Sequence, residues 1–117
     1  MNMKKQKRIN EAMKLCDDSF RRDKNSIRIN THNTIEHELA KAKIAYFLIR
    51  NGKTVFTEVI FKNGSRADVF VPEDFVVYEV LHSETKEMLK KKVSAYPEEL
   101  SIFEFSSNDI LDDNFEL

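Results

Sequence analysis

Asn63-Gly64 stands between two runs rich in branched and aromatic residues, Thr54 to Phe61 and Arg66 to Val71. Both central positions of a type I′ turn need positive φ, which Asn and Gly tolerate best, so the two runs predict a β-hairpin. The chain has only two glycines and two prolines, so each one punctuates. Pro72-Glu73-Asp74 predicts a second turn and Phe75 to Leu81 a third strand. The three strands should form an antiparallel meander.

Helical spacing surrounds this β segment. From Lys4 to Arg22, Ile9, Met13, Cys16 and Phe20 recur with Lys and Arg between them, which predicts a helix with a basic outer face. Asn25 to Asn33 reads as a polar connector. Asn33 or Thr34 can cap the next helix, with Glu36 in capping-box register. Ile35, Leu39, Ala42, Tyr46 and Ile49 then make one apolar stripe that Leu48 and Phe47 widen, and Gly52 supplies the stop. Ser83 is a candidate cap for a short helix through Met88, Leu89, Val93 and Tyr96, which Pro97 ends. Ile102 to Phe105 predicts a last strand. A strand–helix–strand connection within one sheet should be right-handed, placing this strand parallel to the third. The expected class is α+β: an αβββαβ core with one extra N-terminal helix. We divide the single domain into a basic helix and connector (1–33), a core (34–105) and a weakly packed acidic tail (106–117).

The chain has 117 residues, of which 41% are hydrophobic and 33% charged, enough for one globular domain. No apolar stretch approaches the roughly 20 residues that a bilayer crossing needs. A single cysteine, Cys16, excludes a disulfide framework and a zinc site built on paired thiolates. No apolar segment of the secretory type follows the basic N-terminus, so a cytoplasmic location is expected. Net charge is −1, but residues 1–33 hold nine Lys/Arg against four Asp/Glu, and residues 94–117 hold seven acids and no base. A basic arm facing nucleic acid and a solvating tail would account for this, and so would two ordinary solvated surfaces.

Acids within apolar strands mark the candidate chemistry. Asp68 lies between Ala67 and Val69, and Glu79 between Tyr78 and Val80. A lone buried carboxylate is costly unless it is paired or metal-bound. Adjacent antiparallel strands can bring the two onto one face, where hard oxygen ligands suit Mg²⁺. Inward acids that protect a sheet edge, or pairing with Arg66 or a lysine, would explain them without a metal. Glu58 in the first strand is a candidate outer metal or water ligand. His82, of opposite parity to Glu79, could act as a base only if the chain bends. His37-Glu38 begins a metalloprotease-like pattern, but Lys41 stands where the second His is needed, which excludes that reading. Without a Gly-rich phosphate loop, nucleotide-hydrolase and dinucleotide-binding functions are excluded too. The basic face of the first helix, including Lys7, Arg8 and Lys14, could track phosphates without reading sequence, and Arg66 could meet a phosphate beside Asp68.

In their joint order these elements and acids resemble the PD-(D/E)XK nuclease superfamily, which includes Holliday-junction resolvases, restriction enzymes and competence-protein CoiA-like nucleases. The resemblance runs from His37 to Pro97. It rests on Glu38 in the helix before the hairpin, Asp68 in Ser65-Arg66-Ala67-Asp68-Val69, and Glu79 in Tyr78-Glu79-Val80-Leu81. It implies a Mg²⁺- or Mn²⁺-dependent endonuclease acting on DNA, with Glu38, Asp68, Glu79 and the Val80 carbonyl around the metal. Two residues after Glu79, where the superfamily has Lys or Gln, this chain has Leu81. Some relatives supply the lysine from the following helix, which makes Lys86 and Lys90 candidates. The alternative expectation is a degenerate module that binds nucleic acid or a protein without cutting. Relatives often form homodimers, and so small a chain has little surface with which to grip a duplex alone.

Overall fold

The computed structural model describes residues 2–19, 23–81 and 86–117, with Lys86 described by its backbone only. Helix α1 (Met3–Met13) comes first, followed by α2 (Ile35–Arg50), β1 (Phe56–Ile60), β2 (Arg66–Val71) and β3 (Val76–Leu81). Helix α3 (Lys86–Ser94), β4 (Ser101–Ser106) and α4 (Ser107–Ile110) complete the chain. The four strands form one sheet in sequence order, antiparallel except for the parallel β3–β4 pair. The α+β class and the expected meander with a parallel fourth strand are therefore present.

Four local features differ from expectation. The hairpin turn has three residues, because only Gly64 takes positive φ, at 88°. The Gly64 N–H donates to Phe61 O at 2.9 Å and the Phe61 N–H to Ser65 O at 2.9 Å, a turn closed by a left-handed glycine. Helix α1 stops at Met13 rather than running to Arg22. Beyond it the chain pairs with the end of β1: Asp17 N–H donates to Ile60 O and Lys62 N–H to Leu15 O, each at 2.8 Å. Tertiary pairing and the Asp17-Asp18-Ser19 turn outweigh the helical spacing here, with Asp17 accepting from the Ser19 N–H at 2.8 Å. Residues 106–117 are packed, not frayed. Ser106 caps α4, Ile110 is fully buried, and Phe115 packs edge-on against Phe47 and Phe105.

The fourth difference concerns α2. Thr34 caps it by accepting the His37 N–H, and Gly52 at φ 82° ends it. The bonds Gly52 N–H to Ile49 O and Lys53 N–H to Leu48 O form a Schellman motif. Its apolar stripe is not the buried face. The helix buries His37, Glu38, Ala40, Lys41, Ile44, Ala45 and Leu48 instead.

Two clusters make the core. Phe56, Phe70 and Val77 pack with Met13 of α1, Tyr96 and Leu100 on one side. Val69, Val71 and Val80 pack with Ile44 and Leu48 of α2 and Ile110 of α4 on the other. Strand alternation would put Phe56 and Val59, or Ala67 and Phe70, on opposite faces. Both pairs instead share the first cluster. Glu58, at φ 51°, turns β1 over. The register pairs Thr57 with Val69 and Val59 with Ala67, so Glu58 and Asp68 face one another where both strands change sides. The outer edge of β1 is covered by the connector, whose Asn25 exchanges bonds with Val55 at 2.7 and 2.8 Å.

Candidate functional site

The site begins where β2 and β3 part. Their pairing runs from Val71↔Val76 to Val69↔Tyr78, and the next step in that register sets Asp68 opposite Glu79. There the Val80 N–H donates to Asp68 Oδ2 at 2.8 Å, so a side chain takes over the ladder. Glu79 is fully buried and Asp68 nearly so, and the two carboxyl groups hydrogen-bond to each other.

That contact requires a proton. Burial, then the charge of Asp68, pushes the Glu79 carboxyl up to about 9. Tyr96 holds the same group. Its hydroxyl lies 2.5 Å from the Arg66 carbonyl, which can only accept. The same hydroxyl is within donating reach of Glu79 Oε1. Asp68 stays low despite a burial penalty working the other way, because His37 and Glu79 both hydrogen-bond to it.

Two cations flank the pair. Lys92 of α3 places Nζ 2.8 Å from Glu79 Oε2 while remaining partly exposed. His37 of α2 lies with Nε2 3.4 Å from Asp68 Oδ2 and Nδ1 2.9 Å from Glu38 Oε2. Burial disfavours the imidazolium, but the two carboxylates outweigh it and raise its pKa to about 9. Charged, the ring donates from both nitrogens and bridges Glu38 to Asp68.

Glu38 is held from behind. Its Oε1 accepts the Asn30 N–H and Lys41 Nζ, each at 2.6 Å, and Oε2 accepts Asn33 Nδ2 at 3.2 Å. Burial would raise its pKa, but these bonds, led by Asn30, bring it down to about 2. Lys41 is fully buried, reaches the Arg28 carbonyl at 2.6 Å, and lies 3.9 Å from Glu58. One polar chain thus runs Lys41–Glu38–His37–Asp68–Glu79–Lys92 through the sheet opening.

Asp68 and Glu79 therefore stand together, whereas Glu38 does not join them, because the His37 ring lies between. Of the expected lysines, Lys90 is exposed on α3, and the Lys86 side chain, like His82, lies outside the described residues. Lys92 is the helix lysine that reaches Glu79. No spacing signal in the sequence singles it out from Lys90 and Lys91. On α1, Arg8 donates to the Glu73 carbonyl at 3.0 Å and Lys7 is exposed, while Lys14, just past the helix, pairs with Glu11 at 3.2 Å. Arg8 thus fastens the helix to its own domain. The Arg66 side chain is exposed.

As a donor set, two hard carboxylates sharing a proton suit a divalent cation, which could take the proton's place. Among the described residues, no group of three or more His, Cys, Asp or Glu is arranged to hold a metal ion. Water would have to complete the shell. No helix among the described residues is long and apolar enough to cross a membrane. No family model, curated protein or solved structure matches this chain.

Proposed function

We propose that the chain is a nuclease-like hydrolase of phosphodiester bonds, with DNA as substrate and Asp68 and Glu79 as ligands of Mg²⁺ or Mn²⁺. The observation that carries this reading is a pair of buried carboxyl groups opposed across β2 and β3 beside a partly exposed lysine. Such a pair gains little for stability, since one member must stay neutral, but it offers a dication two oxygens in one place. When bound, the cation would lower the pKa of a water and offset charge on the phosphate.

The chain's own residues divide the remaining work. Lys92 can swing from Glu79 to donate to the attacking water or to a non-bridging phosphate oxygen, filling the role that Leu81 cannot. His37 fixes the Asp68 carboxylate from below, and Tyr96 fixes Glu79. Glu38 acts through His37 as a positioning residue. The test is thermal melting with and without Mg²⁺ or Mn²⁺, combined with cleavage of duplex, single-stranded and branched DNA and of RNA. A metal-dependent rise in Tm, proton release on binding and cleavage are expected. No Tm response and no proton release at millimolar metal would overturn the metal site.

A second reading, a module that binds nucleic acid or protein without cutting, has one observation in its favour. Lys92 is already engaged by Glu79 at 2.8 Å, and Leu81 leaves its position without a cation. Metal binding without cleavage, with cleavage restored by Leu81→Lys, would select it.

A further inference from the structure

The apolar stripe of α2 that the core leaves uncovered points to its own partner. Ile35, Leu39 and Tyr46 are 70%, 54% and 59% exposed. With the half-buried Ala42, and with Ile49, which packs partly against the core, they recur at spacings of four, three, four and three, the seam of a two-helix coiled coil. The stripe lies away from His37, Lys41, Ile44 and Leu48, which face the sheet. Beside it, Ile29, Ile35, Leu39 and Ala42 line an apolar groove of about 370 Å³.

Charge selects the occupant. Along one flank of the stripe stand Glu36, Lys43 and Arg50, each seven residues from the next. Glu36 lies in the first helical turn and Arg50 in the last. In an antiparallel pair of identical helices these flanking positions face each other. Glu36 of each copy then meets Arg50 of the other, and the helix dipoles oppose. Lys43, at the centre, is drawn aside by its bond to the Asp112 carbonyl at 2.7 Å. A parallel pair lacks this match, because the other flank (Glu38, Ala45) is buried in the chain's own core. The same antiparallel register puts Tyr46 over the Leu39–Ala42 groove of the second copy, and the contact is reciprocal.

We propose that α2 is the interface of a two-fold symmetric dimer, with two copies of this chain packed antiparallel through Leu39, Ala42 and Tyr46. The helix is about 24 Å long, so the seam suits a dimer of moderate affinity. The interface is independent of the reading of the acidic pair and lies on the other side of α2 from it.

Sedimentation velocity on the full chain from about 1 to 200 μM tests it. A mass approaching twice 13.8 kDa within that range is expected. Leu39→Glu should leave the chain monomeric throughout with its circular dichroism unchanged, since the residue is exposed. Glu36→Arg should weaken the dimer roughly tenfold, and adding Arg50→Glu should return affinity to within about threefold of the parent. A parent chain monomeric at the top concentration would overturn the proposal. So would a dimer indifferent to Leu39→Glu, or one that the charge-swapped pair fails to restore. A monomer that floats with phosphatidylcholine–phosphatidylglycerol vesicles would assign the face to lipid instead.

Discussion

Asp68 accepts the backbone N–H of Val80 at 2.8 Å, one residue past the carboxyl group with which it shares a proton. Its position is thus set by the main chain of the neighbouring strand, and its charge by Glu79 and His37. Asp68→Asn keeps an acceptor for Val80 but removes the charge. We expect a folded protein whose Tm no longer responds to Mg²⁺ or Mn²⁺ and which cleaves nothing. Asp68→Ala also orphans the Val80 N–H and should cost a further ~1–3 kcal/mol in urea melts.

Stability should fall as pH rises from about 4.5 toward about 9. Glu79 and His37 are both raised to about 9 in the fold, so each stabilises fully below its unfolded pKa, and that contribution fades as pH climbs toward about 9. Glu38, lowered to about 2, contributes above its unfolded value of 4.5 and loses this as pH falls toward about 2. Maximum Tm is therefore expected near pH 4.5 in metal-free buffer, with a decline from there that steepens above about 6.5 as His37 joins Glu79. Glu79→Gln should flatten the alkaline limb and exceed the parent's Tm at pH 8. An unchanged alkaline slope in that variant would contradict the shared proton.

Lys92 and Lys90 should separate in function. If the proposed chemistry holds, Lys92→Ala lowers kcat by about a hundredfold or more while metal and DNA affinity change little. Lys90→Ala, on an exposed part of α3, should stay within about threefold of the parent. Single-turnover cleavage of a labelled substrate distinguishes them.

Lys41 is a structural cation. Lys41→Met leaves Glu38 and the Arg28 carbonyl without their closest charged donor in a buried setting, and should cost about 3–5 kcal/mol by chemical denaturation. Lys43→Met, on the exposed side of the same helix, should cost less than about 1 kcal/mol.

Ile110 tests whether the acidic tail belongs to the core. The residue is fully buried among Ala40, Ile44 and Val80, so Ile110→Ala should destabilise by about 2–4 kcal/mol. A loss below about 0.5 kcal/mol would make the tail a solvated appendage.

By itself, the sequence determined the strands, their order and the two acids between them. Period-two runs, an Asn-Gly turn and a proline after a short helix are local signals, and the backbone obeys them within a few residues. Ser65-Arg66-Ala67-Asp68 and Tyr78-Glu79-Val80 were legible as a pair because strand register brings such residues together. Only the tertiary structure decided which face of α2 is buried. Apolar periodicity favours Ile35, Leu39 and Tyr46, but the helix turns inward His37, Glu38 and Lys41, whose bonds reach Asp68 in β2 and Asn30 and Arg28 in the connector. A buried charge is invisible to a hydrophobic pattern, since its cost is removed by partners that spacing does not reveal. For the same reason Lys92 could not be told from its neighbours until the fold set it beside Glu79, and the tail read as solvent-facing until Ile110 and Phe115 found the surface that α2 and β4 make between them.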